Sequence, residues 1–249
     1  MIKFFRKIRF NLMETGKTTR YFKYAIGEII LVVIGILIAL QINNWNESRK
    51  NQIEASTILN SLNLELIDDF DAINGTVKSL EKRKSNSNYL YDLILGHTVQ
   101  IDSSKVVEAL MNTGFIYKFV PSFAVYNEIQ SSGKLGLINS DHLKKYLANY
   151  KSQVEENYRI EGSYDISVKK FEQEATKYLI EIPISTEKRL YKKYKLIKFN
   201  TQKLSKDEAF LNLLKHISYI TEIELALKRD LLIPKMELLK KLITKALER

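Results

Sequence analysis

Residues Tyr24–Trp45 read YAIGEIILVVIGILIALQINNW, and the run Ile29–Leu40 within them contains no polar side chain. Extended past Glu28 and Gln41, this run supplies the roughly 20 mainly apolar residues that a helix needs to cross about 30 Å of hydrocarbon. A cleaved signal peptide fits less well, because its apolar region runs only about 7–15 residues and ends at a small-x-small site. We therefore predict a single transmembrane helix over residues 21–45.

The charge around this run predicts its orientation. Residues 1–42 carry seven basic side chains against two acidic ones, and the whole chain has a net charge of +10. Lysine and arginine accumulate on the cytoplasmic side of membrane helices. We expect residues 1–20 to form a cytoplasmic basic segment and residues 46–249 to form a periplasmic domain. An uncleaved helix then anchors the protein as a single-pass component of a bacterial inner membrane.

The composition beyond the run favours helices over a sandwich or a barrel. The 249 residues include nine glycines, three prolines and no cysteine, whereas Leu, Ile, Lys and Glu are abundant. Apolar side chains recur at spacings of three and four from Ala55 to Ile73, so the membrane helix should continue as a stalk to a stop at Asn74-Gly75. The predicted fold class is all-α: a transmembrane helix, a stalk, and an extramembrane bundle of about six further helices.

The charged residues around the predicted stop favour a helical hairpin. The helix before the stop carries an acidic group, and a group of cations follows the turn. The acidic group is Glu65, Asp68, Asp69 and Asp71, and the cations are Lys78, Lys82, Arg83 and Lys84. Acidic side chains oppose the dipole at a helix C-terminus, so we expect the two arms to pair with each other. A calcium site is the alternative, but Ile73 occupies a ligand position of the calcium-loop pattern.

The predicted span contains four candidate helix-packing residues: Gly27, Glu28, Gly35 and Ala39. Small residues let helix backbones approach closely in lipid, and Gly35 and Ala39 form a small-x-x-x-small pair, although such pairs also occur by chance. Glu28 is costly in hydrocarbon, so it is either a functional packing residue or a carboxylate that reaches the nearby interface. We expect this face to contact a protein partner or a second copy of the chain, with Trp45 as an interface anchor.

A basic stretch with interleaved aromatic residues lies later in the chain. Its candidate contacts for anions or lipid headgroups are Lys188, Arg189, Lys192 and Lys193. In a soluble protein this mixture would favour nucleic-acid binding. Outside the cytoplasm, phosphate headgroups or cell-wall polymers are the available anions, so no nucleic-acid partner is expected. The alternative is a helix over residues 186–199 whose apolar side chains face the core and whose basic side is solvated.

The motifs of the chain predict neither catalysis nor a metal site, and we expect no cofactor. Ser131–Lys134 matches Ser-x-x-Lys, but the Lys-Thr-Gly and Ser-Asp-Asn elements of that enzyme class are missing from the sequence. The three histidines lack the spacing of a metal site. We therefore expect a protein that is not an enzyme. A hydrolase would need polar residues from distant helices, such as His142 and Glu128, to converge in a cleft.

Two stretches resemble a known family. Lys23–Glu47 is similar to the N-terminal signature of an uncharacterised single-span membrane protein family of Bacteroidetes-type bacteria, which is a domain of unknown function. Glu128–Ile138 resembles the mid-chain motif of that family, and the resemblance covers the whole chain. It implies a single span and an envelope location, and it implies no activity. The resemblance also implies that the family's signature has a fixed glutamate and glycines, which makes Glu28, Gly27 and Gly35 stronger candidate residues than their spacing alone does.

These observations favour one function and leave a second open. We expect a membrane-anchored helical interaction module, acting as a scaffold or accessory subunit of a bacterial envelope complex. Its partners are then membrane lipids and either another protein or a second copy through the transmembrane helix. The alternative is a sensory ectodomain that binds a small ligand between bundle helices. Such a sensor would signal through a partner, because the cytoplasmic segment is too short for a signalling domain.

Overall fold

The structure, a computed structural model, describes residue 10 and residues 18–97, 101–182 and 193–248. Most of the described chain is helical, which confirms the all-α prediction, and six α-helices follow the long first one within these residues. The α-helices are α1 (Thr18–Ile94), α2 (Ser103–Thr113), α3 (Ala124–Ser131), α4 (Asp141–Thr176), α5 (Thr201–Leu204), α6 (Glu208–Ala226) and α7 (Ile233–Leu247). The other elements are a 3-10 turn (Lys134–Leu137), strands β1 (Leu179–Ile182) and β2 (Lys193–Leu196), and a π-helix (Leu227–Leu232).

The chain divides into two compact units, residues 1–57 and residues 58–249. In the first unit the structure describes mainly the N-terminal part of α1. There the large apolar side chains of Ile29–Leu40 are each between 46 and 63% exposed. A helix that is apolar on all sides is normally buried in protein or embedded in a membrane. The described chain does not cover this one.

Helix α1 passes through the predicted stop at Gly75 and ends at Ile94. The separate second helix and the hairpin expected after that stop are therefore wrong. Ile73, Val77 and Leu80 are all buried, so the spacing of three and four continues across the glycine. Glycine inside a helix costs only about 1 kcal/mol relative to alanine. Burial of the continuing apolar stripe outweighs that cost.

Three long helical stretches dominate the second unit: residues 58–94 of α1, helix α4, and α6 with α7. Their buried apolar side chains form two large clusters. The first core is built mainly by residues 58–73 of α1, the N-terminal half of α4, and α7. The second core is built mainly by residues 90–94 of α1, the C-terminal half of α4, α2 and α6. Helices α1 and α4 run from the first core to the second, and α6 and α7 run back.

Side-chain caps and a proline set the limits of the shorter elements. Asp102 and Asp207 accept hydrogen bonds from backbone N–H groups in the first turns of α2 and α6. Between α6 and α7 the backbone forms the π-helix, in which the N–H of Ile233 donates to the carbonyl of Lys228 five residues earlier. Pro234 follows at once, and a proline ring clashes with the carbonyl four residues before it. The wider π-turn relieves this clash and lets α7 continue.

A two-stranded antiparallel sheet, in which β1 pairs with β2, packs beside α2. It corrects the helix expected over residues 186–199, because the part of that segment that forms β2 is extended. Tyr194 and Leu196 are half-buried, whereas Lys193 and Lys195 are exposed. This alternation has the period of two that marks a half-buried strand rather than the helical period of 3.6.

Candidate functional site

A layer of charged and polar side chains lies between the first core and the second. Its members come from all three long stretches and are each at most 5% exposed. These residues, which we call the charged layer, are Arg83 of α1, Glu161 of α4, Thr221 and Glu224 of α6, and Lys228 of the π-helix. Ionised groups are almost never buried this deeply unless they are paired. The partners of each charge therefore decide what the layer does.

Arg83 is held by partners from two other parts of the bundle. Its guanidinium forms an ion pair with Glu224, its Nε donates to Thr221 Oγ1 at 2.9 Å, and a terminal nitrogen donates to the carbonyl of Phe115 at 3.4 Å. The Thr221 hydroxyl in turn donates to the carbonyl of Ile217 at 2.6 Å. Burial lowers the pKa of Arg83 to about 10, so the side chain remains cationic at neutral pH.

Lys228 and Glu161 form the second ion pair of the charged layer, with Nζ and Oε1 2.6 Å apart. Burial lowers the pKa of Lys228, and the adjacent carboxylate of Glu161 opposes that effect. Lys228 lies on the π-helix, a rare backbone form that is frequent at functional sites. Arg83 interacts electrostatically with both residues, so the two ion pairs form one cluster of two positive and two negative charges.

The charged layer can fix the alignment of the three long stretches. Desolvating each ion costs several kcal/mol, and a buried pair offsets this cost only in good geometry. Sliding one helix along another would separate Arg83 from Glu224, or Lys228 from Glu161, and would leave unpaired charges in the interior. Contacts in the two apolar cores are non-directional and resist such a shift less specifically. We therefore interpret the layer as the element that selects one alignment of the bundle.

Exposed ion pairs surround the charged layer along α1. They are Glu81 with Arg229, Lys82 with Glu108 at 2.6 Å, and Lys84 with Glu222. The cations of this segment were expected to pair with the acidic group earlier in the same helix. Because α1 does not turn back at Gly75, Lys82, Arg83 and Lys84 meet carboxylates of α2 and α6 instead.

The sequence contained a sign of the charged layer, namely polar residues at positions of an apolar helical stripe. Thr221, Glu224 and Lys228 follow the buried Ile217 at spacings of four, three and four, and Leu232 then continues the stripe. Polar residues at positions where an apolar stripe predicts core side chains indicate a buried polar site. Their partners lie far away in sequence and could not be identified from the stripe.

Two members of the acidic group of α1, Asp69 and Glu65, contact the beginning of α3 rather than a cationic arm. Asp69 is 6% exposed and accepts a hydrogen bond from the backbone N–H of Ser122 at 2.9 Å. Glu65 accepts from the N–H of Val125 at 3.3 Å and from the Ser122 hydroxyl at 2.5 Å, as suits a carboxylate at a helix N-terminus. Burial, reinforced by the negative charges of Glu65 and Asp68, raises the pKa of Asp69 to about 6 against the opposing hydrogen bond from Ser122.

A surface groove of about 500 Å³ lies between α1 and α6. Three contacts cross this region in antiparallel order: Lys84 with Glu222, Asn88 with Ser218 at 2.8 Å, and Lys215 with its Nζ 5.1 Å from the ring centroid of Tyr91. The groove is open to the surface and bridged along its length. It therefore differs from the enclosed pocket between helices that a sensory ectodomain needs.

One helix in the described chain is long and apolar enough to cross a membrane. An 18-residue window of α1 has a mean hydropathy of 2.6, and none of that window is buried. A Cβ atom added at Gly27 or Gly35 would meet no atom within 4 Å apart from its chain neighbours and the backbone of its own helix. Ala39 and Trp45 are exposed, and Glu28 is half-buried. Helix packing at Gly27, Glu28, Gly35 and Ala39 stays a prediction, and so does interface anchoring at Trp45.

The expected contacts with anions fall mostly outside the described residues. Lys188, Arg189 and Lys192 lie outside them, and so do residues 1–9 and 11–17 of the segment predicted to be cytoplasmic. Lys193 is described: it lies on β2 and is exposed. Contact with anions or lipid headgroups stays a prediction for these four basic side chains, and the cytoplasmic location stays a prediction for residues 1–20.

The polar residues that a hydrolase would require are at the surface. His142 and Glu128 are both exposed, on α4 and α3. The hydroxyls of Ser131 and Ser132 donate to the carbonyl of Glu128 at 3.1 and 2.7 Å, and Gly133 has a φ of 73°. The Ser-x-x-Lys stretch thus forms the end of α3, where a left-handed glycine is common. Among the described residues, no three histidine or carboxylate side chains are placed to hold a metal ion.

Comparison with known proteins identifies a family. The model of a family of unknown function, DUF6090, matches residues 28–223, which is most of the chain. The match begins at the edge of the apolar run of α1 and ends within α6, so it includes parts of both compact units. No curated protein and no solved structure matches the chain. The expected resemblance to a domain of unknown function is confirmed by this match.

Proposed function

The chain belongs to the family of unknown function DUF6090, and we propose that it is a membrane-anchored helical interaction module. In this proposal it is a scaffold or accessory subunit of a bacterial envelope complex and carries out no catalysis. The N-terminal part of α1 anchors it in the inner membrane with residues 1–20 in the cytoplasm. The helical bundle meets its partner in the periplasm.

The exposed apolar part of α1 is the observation that carries the proposal. Removing apolar surface from water is favourable by a free energy of roughly 25 cal/mol per Å². Soluble monomers therefore rarely expose contiguous apolar patches larger than a few hundred Å². Ile29–Leu40 and its flanks exceed such a patch and lack a cover within the described chain. Hydrocarbon is the cover whose thickness matches the length of the run. An α-helix also satisfies its own backbone hydrogen bonds, as a bilayer requires.

The bundle supports the interaction part of the proposal. Its three long stretches are aligned by buried ion pairs, so its surface is carried by rigid elements rather than by loops. Rigid elements hold an interaction surface more accurately than loops do. Several apolar side chains of these helices lie outside the two cores and are accessible to a partner: Ile166, Tyr219 and Leu238 are 74, 65 and 43% exposed.

The absence of cysteine from the sequence allows a direct test of the topology. One variant, Lys17→Cys, carries a thiol before the apolar run, and a second, Ser163→Cys, carries one at an exposed position of α4. In spheroplasts, a membrane-impermeant maleimide should label Ser163→Cys directly and Lys17→Cys only after detergent is added. Labelling of both variants without detergent contradicts a spanning anchor, and the reverse pattern contradicts the orientation.

Crosslinking in native membranes, followed by mass spectrometry, tests the interaction itself. We expect peptides of the bundle or of the span to be linked to another envelope protein or to a second copy of the chain. The same membranes without crosslinker provide the background. Recovery of the monomer alone, from membranes in which other complexes crosslink efficiently, contradicts the proposal.

A further inference from the structure

The outward face of the β1–β2 hairpin combines apolar and cationic side chains. In the antiparallel register Ile180 is paired with Lys195, and Ile182 with Lys193. Residues directly opposite each other lie on the same face of a sheet, and residues two apart in a strand share a face. The four side chains therefore form one surface. Ile180 and Ile182 are 51 and 39% exposed, and both lysines are exposed.

The other face of the hairpin fixes it to the second core. Leu179 and Leu196 are paired and pack against that core. The rings of Tyr178 and Phe199 meet edge to face with centroids 5.6 Å apart. The N–H of Ile197 donates to the carbonyl of Tyr178 at 2.7 Å and extends the pairing beyond the strands. The inner face is thus occupied, and the outward face is exposed within the described chain.

We propose that the outward face of the hairpin is a second membrane-binding surface, which docks on a bilayer that contains anionic phospholipids. The lysines attract the phosphate groups, and the isoleucines enter the boundary between headgroups and acyl chains. Cations beside exposed aliphatic side chains are the combination by which interfacial segments bind anionic membranes. The inference rests on the hairpin alone and goes beyond the anchoring by α1.

Two other roles, nucleic-acid binding and protection of a sheet edge, each explain fewer features of this surface than membrane binding does. A single-stranded nucleic acid would need aromatic side chains beside the cations, but Tyr194, the aromatic residue of β2, is half-buried and paired with Glu181 on the inner face. Lysine on an edge strand also discourages pairing with other chains. That role does not require isoleucines next to the lysines, whereas contact with a bilayer does.

The test uses the full chain in nanodiscs of phosphatidylcholine, mixed with vesicles and separated by flotation. The vesicles contain either phosphatidylcholine alone or phosphatidylcholine with about one third phosphatidylglycerol. The wild-type chain should float with the anionic vesicles and not with the neutral ones. Lys193→Glu combined with Lys195→Glu should lower the affinity at least tenfold, since each lysine near an anionic surface contributes about fivefold.

A matched control makes the same change in charge elsewhere. Lys169→Glu combined with Lys170→Glu alters an exposed part of α4 and should bind like the wild type. Circular dichroism melting of each variant checks that the fold is retained. Undiminished binding by the hairpin variant, or an equal loss in the α4 control, overturns the proposal.

The isoleucines and a soluble competitor separate lipid binding from simple attraction to phosphate. Ile180→Ser combined with Ile182→Ser keeps both lysines and should weaken vesicle binding about tenfold. Inorganic phosphate should compete no better than chloride at equal ionic strength. An isoleucine variant that binds like the wild type, or phosphate that competes more strongly than chloride, overturns the proposal in favour of a site for free anions.

Discussion

The two most unusual regions of this chain reverse the usual distribution of side chains. In the charged layer, four ionised groups are at most 5% exposed, whereas in Ile29–Leu40 the large apolar side chains are 46 to 63% exposed. The buried charges find their partners within the chain, Arg83 with Glu224 and Lys228 with Glu161. The apolar run finds no cover among the described residues.

This difference separates what specifies the fold from what indicates the function. Buried groups that satisfy one another select an alignment of helices and need nothing from outside. Exposed apolar groups without a cover are unstable in water, so they indicate the environment in which the protein works. The charged layer is therefore an internal feature of the bundle, and the apolar run is the feature from which we infer a membrane.

The largest expected effect comes from breaking the charged layer. Lys228→Met leaves Glu161 buried without its cation, which should lower the free energy of unfolding by about 3–5 kcal/mol. Arg229→Met is the matched control at the next residue. Its ion pair with Glu81 is 42 and 49% exposed, and such pairs contribute about 0–1 kcal/mol. Denaturant unfolding of the full chain in detergent micelles, followed by circular dichroism, compares the two variants.

A double variant shows whether the loss comes from an unpaired charge. Lys228→Met combined with Glu161→Leu replaces the ion pair by apolar side chains of similar size. It should recover most of the lost stability, because buried pairs replaced in this way are often no less stable than before. Equal losses for Lys228→Met and Arg229→Met, or a double variant worse than Lys228→Met alone, would contradict our interpretation of the layer.

A smaller effect concerns a buried carboxylate with acidic neighbours. Asp69 has a pKa of about 6 in the folded protein, above the value of about 3.9 for an unfolded aspartate. The folded state therefore holds the proton more tightly. The resulting stabilisation is complete below about pH 4 and is lost as the pH rises through about 6. The free energy of unfolding should fall by roughly 2–3 kcal/mol over this range on account of Asp69.

Two neutral variants isolate this effect in unfolding experiments across the same pH range. Asp69→Asn should flatten the dependence by the amount expected for Asp69. Asp68→Asn removes a charge at the adjacent exposed position and should leave most of the dependence in place. An unchanged slope in Asp69→Asn would show that the buried carboxylate does not titrate near pH 6.

The smallest expected effect concerns the partner of the apolar run. Gly35→Leu blocks close approach at the small-x-x-x-small pair and should weaken helix association in a bilayer by about tenfold, or 1–2 kcal/mol. Val33→Leu alters the far side of the same helix and should leave association unchanged. Energy transfer between labelled chains in vesicles measures both. Equal behaviour of the two variants would remove Gly35 from the contact.

Local patterns were enough to predict the fold class. A long apolar run and apolar spacings of three and four depend only on neighbouring residues, so they predicted the helices directly. The stop at Gly75 failed because a glycine is a weak local signal, and burial of Val77 and Leu80 against distant helices overrides it. The strand over Lys193–Leu196 was missed because Leu190, Tyr194 and Ile197 are spaced by four and three residues, which also fits a helical stripe.

The candidate site depended on contacts that sequence spacing does not contain. The polar residues Thr221, Glu224 and Lys228 on an apolar stripe were visible in the sequence. Their partners are distant in sequence: Arg83 lies 138 positions from Thr221, and Glu161 lies 67 positions from Lys228. This pairing can be predicted only once the three long helical stretches have been aligned. The same limit applies to Asp69, whose burial depends on the placement of α3.

The central claim is that α1 spans a membrane. Its most direct test is to treat bacterial membranes containing the full chain with sodium carbonate at high pH. This treatment releases proteins that are bound only at the surface, including any held by the hairpin, and retains proteins whose helices span the bilayer. We predict that the wild-type chain stays in the membrane pellet, and that Ile34→Arg combined with Leu37→Arg increases its release because each charge costs about 2.5–3.5 kcal/mol within the bilayer. Complete release of the wild-type chain into the supernatant would contradict the account.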